Sequence, residues 1–454
     1  MKHWLDDTIA AIATPSGVGG IGIIRLSGPA SLDIASKIFR QSKSTPLETH
    51  RIYHGWISAG DTRVDEGLLS YMAGPNSYTG EDVVEINCHG GKLAARKTLE
   101  LALEAGARLA EKGEFTRRAF LNGRMDLIRA EAVADIISAR SERALVAAAA
   151  QLGGEISGKI LVIREALVVI LAGIEASIDF PDDVAEPEKG ELARAFFQLS
   201  QNAQKLIETA EEGRVVREGI RLAIIGKPNV GKSSLLNKLI QNDRVIVSDL
   251  PGTTRDTVEE NVVIGGLPFV LVDTAGIRES SDRVELSGVD RALKEAAKAD
   301  LVMIVLDGSS ELSAEDEKVL SVGAKERAVI VINKVDLGIK LALNGQAGES
   351  KKFMVSALTG DGLAELRTGL EAIVINNKQS GSDVAGLINA RHKECLWRAK
   401  EALDRASVGI GQNFPVDLLA IDLRGAIASL GEATGQAVSE EVIENIFQHF
   451  CVGK

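Results

Sequence analysis

Short runs in which apolar and polar residues alternate dominate the first 120 positions of the chain. Residues 21–26 and 83–86 read as strands, and Gly74-Pro75-Asn76 and Gly90-Gly91 read as turns. This texture predicts an α+β domain over residues 1–120. From 121 to 218 the period changes. Apolar residues recur at helical spacing, as in RAEAVADIISARSERALVAAAAQL, up to a stop at Phe180-Pro181. A second helical stretch is expected over residues 189–212. Residues 378–454 carry the same helical texture.

Between the helical parts, residues 219–377 alternate strand and helix. Strands are expected at 222–225, 258–264, 269–272, 301–306, 329–332 and 353–355. That is the pattern of a doubly wound α/β domain. A chain that is helical, then α/β, then helical again predicts an inserted domain, with residues 121–218 and 378–454 packing as one helical bundle.

Composition narrows the function classes. Lys and Arg number 52 against 64 Asp and Glu, a net charge of −12, which speaks against a basic coat for nucleic acid or a polybasic membrane arm. Aromatic residues are only 4%, too few for a base-stacking surface. Cys88, Cys395 and Cys451 are an odd three with long spacings, so neither a disulfide framework nor a zinc site is expected. The longest apolar run, residues 166–174, is far below the ~18 residues of a membrane span. Asp6 and Asp7 stand where a signal peptide would be apolar. A cytoplasmic protein is the expectation.

The chemistry lies in the α/β segment. Gly226-Lys227-Pro228-Asn229-Val230-Gly231-Lys232-Ser233 fits G-x-x-x-x-G-K-[ST], with an apolar strand before it and a helical run beginning at Ser233-Ser234 after it. Glycines let backbone N–H groups wrap phosphates, and the helix N-terminus adds positive potential. Lys232 would reach the β- and γ-phosphates and Ser233 would hold Mg²⁺. Asp273-Thr274-Ala275-Gly276 ends a strand, where an acid sits near the Mg²⁺ shell. Asn333-Lys334-Val335-Asp336 ends another. The Asp336 carboxylate can accept from two guanine N–H groups that adenine does not offer together, which selects GTP. Ser356-Ala357-Leu358 would support the base.

Hydrolysis needs an oriented water. The residue after Asp273-Thr274-Ala275-Gly276 is Ile277, which has no hydrogen-bonding side chain; Glu279 is the nearest carboxylate. No arginine finger is identifiable, so a cation is an alternative source of positive charge. Asn229 offers a neutral oxygen to a hard ion such as K⁺. Residues 248–256 lie where a first switch loop belongs. Its Ser248, Asp249, Leu250, Pro251, Gly252, Thr253 and Thr254 are expected at the nucleotide. Thr254 would complete the Mg²⁺ shell, and oxygens of Ser248, Leu250 and Thr253 would enclose the cation.

Together these residues resemble the Era/Der-like branch of translation-associated GTPases. Outside the GTPase segment, TPSGVGGIGIIRLSG (14–28), PNSYTGEDVVEINCHGG (75–91), EFTRRAFLNGRMDLIRAEAV (114–133) and the ending FCVGK resemble the MnmE (TrmE) family of tRNA-modification GTPases, essentially over the whole chain. The resemblance implies an N-terminal folate-binding and dimerisation domain (1–120), a helical domain (121–218 and 378–454) and an inserted Ras-like P-loop GTPase domain (219–377). It implies a homodimer working with an MnmG (GidA)-type flavoprotein, which carries FAD, in a heterotetramer or larger assembly. Together they add a carboxymethylaminomethyl or aminomethyl group at C5 of the wobble uridine of certain tRNAs. The one-carbon donor is 5,10-methylenetetrahydrofolate, with 5-formyltetrahydrofolate as an analogue, and glycine or ammonium supplies the amine. Family GTPase domains pair on GTP, with K⁺ in place of an arginine finger.

The family's K⁺ positions fall on Asn229, Ser248, Leu250 and Thr253, its Mg²⁺ positions on Ser233 and Thr254, and its water-orienting carboxylate on Glu279. Its folate contacts fall on Arg25, Glu85, Arg124 and Lys454; position 124 is Lys in some members, and Arg keeps the charge but not the geometry. Glu85 suits the N–H groups of a pterin, and Arg25 and Lys454 suit glutamate carboxylates. The family ending C-I-G-K becomes Cys451-Val452-Gly453-Lys454 here, and a catalytic or redox role for Cys451 is a hypothesis. Cys88 and His89, adjacent on a strand, point to opposite faces and are read as structural. The alternative to tRNA modification is a GTPase switch in ribosome assembly.

Overall fold

The computed structural model describes residues 6–43, 45–241, 260–264, 266–272, 296, 298–323, 327–343, 350–376 and 387–454. The chain divides into two compact units. One comprises Met1–Ile137, Ala149–Lys205 and Glu394–Lys454; the other comprises Ser138–Ala148 and Leu206–Lys393.

The first unit contains a seven-stranded sheet. Its strand order is Phe39–Gln41, Arg51–Ala59, Thr62–Met72, Val83–His89, Ile21–Ser27, Ile9–Ile12, Arg108–Leu109. All neighbours are antiparallel except the last pair. Alternation decides the buried face. Ile24 and Leu26 from one strand and Val84 and Ile86 from the next share a core with Ile34 and Ile38 of the helix Ser31–Ile38 and Leu101 of the helix Lys92–Glu104. Both expected strands run longer than their apolar runs, because ladder pairing extends through Ser27 and His89.

The helices of this unit obey the 3.6 period. In Glu155–Asp179, Ile156, Ile160, Ile163, Leu167 and Ile174 form the buried stripe, and the helix packs against Val416–Thr434. Burying each such side chain stabilises the fold by about 1.5–3 kcal/mol. The helix stops where Phe180 precedes Pro181 and leaves the helical region (φ −130°, ψ 62°). The stretch expected over 189–212 is two helices, Lys189–Glu208 and Ala210–Glu218, the latter belonging to the second unit. They break at Thr209, whose hydroxyl donates back to the Leu206 carbonyl at 2.8 Å.

The second unit is a doubly wound α/β fold. Its sheet runs Lys351–Met354, Ala328–Asn333, Leu301–Asp307, Ile220–Ile225, Leu267–Val272, Glu260–Ile264, parallel except for the last pair. Both faces are covered, so its central strands are apolar throughout. Leu301, Met303 and Val305 face the helices Lys232–Gln241 and Leu363–Asn376, while Val302, Ile304 and Leu306 face Ala314–Gly323. The loops that follow Ile225, Asp307, Asn333 and Met354 all leave from the carboxyl edge, where ligands bind in this architecture.

Candidate nucleotide and folate sites

The loop after Ile225 enters a helix at Lys232, as a phosphate-binding loop must. Asn229 sits at φ 62°. Lys232 is turned onto its own loop, its Nζ donating to the Gly226 carbonyl at 2.7 Å and the Lys227 carbonyl at 2.9 Å. Burial pulls this ammonium below the ordinary lysine range. A half-buried cation resting on two neutral carbonyls suits the arrival of a phosphate anion.

Asn333 ties this loop to two others. Its Nδ2 donates to the Val230 carbonyl at 2.8 Å, and its Oδ1 accepts from the Ala357 amide at 2.9 Å. The side chain is 1% exposed. Gly231 is required by this approach: a Cβ there would lie 2.3 Å from Asn333 Nδ2, at φ 93°. Lys334 takes φ 63°, and the 3₁₀ turn Val335–Leu337 presents Asp336 at the surface. Ser356 and Ala357 are buried beside it and Leu358 is 78% exposed. The loops that follow Ile225, Asn333 and Met354 are therefore joined through one asparagine.

In the other unit, Arg25 lies in mid-strand directly opposite Glu85. Arg25 Nε donates to Glu85 Oε1 at 2.8 Å, and Nη1 reaches the Gly453 carbonyl at 3.5 Å. The guanidinium stands 5.6 Å from the Tyr78 ring centre and 5.7 Å from that of Phe115. The chain end is docked here. The Phe115 amide donates to the Lys454 carbonyl at 3.2 Å, and Val452 bridges Lys112. Burial, and then the charge of Arg25, pull the Lys454 ammonium below its usual range, with Glu85 and Cys451 opposing. Arg124 donates instead to the Ser77 carbonyl at 3.0 Å, in the loop that carries Tyr78. Cys451 is exposed, and its carbonyl accepts from the Gly113 amide at 3.3 Å. Glu85, Arg25 and Lys454 thus stand in one cluster beside the docked chain end, a carboxylate acceptor with two cations, which could hold a ligand that offers both N–H groups and anionic oxygens.

Cys88 and His89 do point to opposite faces. Cys88 is buried, and burial pushes its thiol up; His89 pairs with Asp65 at 2.7 Å on the exposed side.

Residues 127–451 match the family model described as the MnmE helical domain, and residues 8–124 match that of the GTP-binding protein TrmE N-terminus. The tRNA modification GTPase MnmE of Alkaliphilus oremlandii is 45% identical over 99% of this chain and 100% of its own length. That of Moorella thermoacetica is 48% identical over the same shares. The chain belongs to the MnmE family of tRNA modification GTPases. In one solved structure, Era in complex with MgGDPNP and a 16S ribosomal RNA segment, 66% of that chain aligns with 40% of this one at 27% identity and a TM-score of 0.26.

Several residues expected at the nucleotide of this MnmE-family chain lie outside the described residues: Ser248, Asp249, Leu250, Pro251, Gly252, Thr253 and Thr254, and Asp273, Thr274, Ala275, Gly276 and Glu279. Two further carboxylates, neither of them in a nucleotide motif, stand beside the loops. Asp307 accepts from Lys334 Nζ at 2.7 Å, and Asp316 accepts from Lys227 Nζ at 2.8 Å. Each supports a lysine of a recognised motif of the MnmE-family GTPase. Among the described residues of this MnmE-family chain, no helix is long and apolar enough to cross a membrane.

Proposed function

We propose that this chain hydrolyses GTP to drive addition of a carboxymethylaminomethyl or aminomethyl group at C5 of the wobble uridine of certain tRNAs. It acts as a homodimer, with an MnmG (GidA)-type flavoprotein that carries FAD. The observation that carries the nucleotide part is the Asn333 junction, which holds the Lys232 loop against the Ser356-Ala357 loop. Lys232 would meet the β- and γ-phosphates and Ser233 and Thr254 the Mg²⁺. Asp336 would select guanine, and Glu279 would orient water. Asn229, with Ser248, Leu250 and Thr253, would hold K⁺, which supplies positive charge beside the phosphates.

The folate reading rests on the cluster of Arg25, Glu85 and the docked Lys454. A methylenetetrahydrofolate held there would supply the one-carbon unit, with Glu85 accepting from the pterin N–H groups and Arg25 and Lys454 offering positive charge to its anionic groups. Arg124 acts on this site through the Tyr78 loop. Cys451 lies beside Lys454 on the docked end, in reach of a role in the modification step. The domain assignment we favour is 1–120 for folate and dimerisation, 121–218 with 378–454 helical, and 219–377 for GTP.

Two measurements test this. GTP turnover in 100 mM KCl should exceed that in NaCl by about tenfold or more; equal rates remove the cation reading. In a deletion strain, nucleoside analysis should find tRNA without the C5-modified wobble uridine. Unchanged tRNA would transfer the function to a ribosome-assembly switch.

A further inference from the structure

The segment between the strand Leu301–Asp307 and the helix Ala314–Gly323 belongs to neither nucleotide motif, yet it holds a lysine from each. At its start, Asp307 Oδ2 accepts from Lys334 Nζ at 2.7 Å, and Oδ1 accepts from the Ser309 amide at 2.9 Å and hydroxyl at 2.7 Å. At its end, Asp316 is 1% exposed. Its Oδ2 accepts from the Ser313 amide at 3.0 Å, while the Ser313 hydroxyl serves the Asp316 amide at 3.3 Å, the reciprocal arrangement of a capping box. The same Oδ2 takes Lys227 Nζ at 2.8 Å. Asp316 Oδ1 has no hydrogen-bond partner among the described residues. Such a carboxylate depends on Lys227 for compensation of its charge. Lys227 in turn supplies one of the two carbonyls on which Lys232 rests.

We propose that residues 307–316 form a brace that fixes the distance between the phosphate-binding and base-selecting loops, with Asp316 and Asp307 as positioning residues acting through Lys227 and Lys334. Neither carboxylate need touch the nucleotide. The brace keeps the two loops from drifting apart when Lys232 leaves its carbonyls for a phosphate, so its loss speeds nucleotide escape. This inference rests on the reading of the site as a guanine-nucleotide site.

The test uses the full chain and the fluorescent probe mant-GDP, below the unfolding temperature of every variant. Wild type must bind mant-GDP; if it does not, the nucleotide reading itself fails. Lys227→Met removes the tether but leaves the cap between Ser313 and Asp316. It should weaken mant-GDP about tenfold, mainly through faster dissociation, and Lys227→Arg should restore affinity to within about threefold. Asp316→Asn should weaken it similarly, and the double variant should be no weaker than the weaker single. In GTP turnover, KM should rise while kcat at saturation stays within about twofold. Asp307→Asn should also speed mant-GDP dissociation. A brace of merely structural value would lower the unfolding temperature without moving dissociation. Wild-type-like dissociation in Lys227→Met, or effects of Lys227→Met and Asp316→Asn that simply multiply, would overturn the proposal. Should Asp316→Asn fail to fold, Lys227→Met and its Arg rescue decide alone.

Discussion

Lys232 shows what one residue can report. In the free protein its half-buried ammonium rests against the Gly226 and Lys227 carbonyls, and loss of solvent depresses its pKa. A phosphate at the same place favours the charged form and raises it. The sign follows. Below the free protein's pKa both states hold the proton and binding is whole. As pH rises through that value, binding must take up a proton, and affinity declines until the bound form's pKa is passed. Calorimetric titration with GDP in buffers of different ionisation heat should show proton uptake that grows as pH rises from neutral into the ordinary lysine range, with affinity falling by at most tenfold per pH unit. No uptake anywhere in that range would mean that Lys232 does not meet the phosphates. This lysine and its glycines are legible in the sequence, because the motif is contiguous and each residue in it has a physical duty. Asp316 is not, because its partner Lys227 stands 89 positions away and nothing in an acidic helix start distinguishes a tether from a solvated charge.

Among the elements, the chain end departs most from what a terminus usually does. Its contacts include Ile12, Arg25, Lys112, Gly113 and Phe115, all distant in sequence, so periodicity carries no sign of docking. Gly453 is the point that cannot change. It sits at φ 97°, and a Cβ would lie 2.4 Å from the Ile12 carbonyl oxygen. Gly453→Ala should therefore lift the last residues off the sheet edge, at a backbone cost of about 1–2 kcal/mol before the clash is counted. Hydrogen exchange at the Gly113 and Phe115 amides, which donate to Cys451 and Lys454 carbonyls, should quicken about tenfold or more, while GTP turnover stays unchanged. Unchanged protection would show that the end is held by other contacts. The strands, by contrast, are readable nearly to the residue where both sheet faces are buried, as over Leu301–Asp307, since a short apolar run bounded by turns is what a strand covered on both faces requires. The break at Thr209 is hidden because the apolar stripe continues across it.

For the whole molecule, the reading of an inserted domain at 219–377 rests on a change of texture. One compact unit starts at Leu206, runs to Lys393 and takes in Ser138–Ala148. Periodicity identifies the buried stripe of a helix but not the core that receives it. Ala144 packs with Val216 and Leu387, and Arg143 pairs with Glu212, all within this unit. Every described residue expected at the nucleotide also lies inside it. A chain of residues 206–393 alone should thus bind mant-GDP within about threefold of the full protein, since the Asn333 junction and the Asp316 tether are complete. It should be less stable by about 2 kcal/mol, because Val216 and Leu387, 1% and 2% exposed in the full chain, lose their cover. That corresponds to an unfolding midpoint lower by about 6 °C for a domain of this size. Joining residues 138–148 through a Gly/Ser linker should recover most of the loss, and calorimetry of the two chains measures it. A folded 206–393 chain that failed to hold mant-GDP would mean that the nucleotide site draws on residues outside this unit. Equal midpoints with and without 138–148 would mean that the Ala144 contact stabilises nothing and that the unit begins at Leu206 in energetic terms as well.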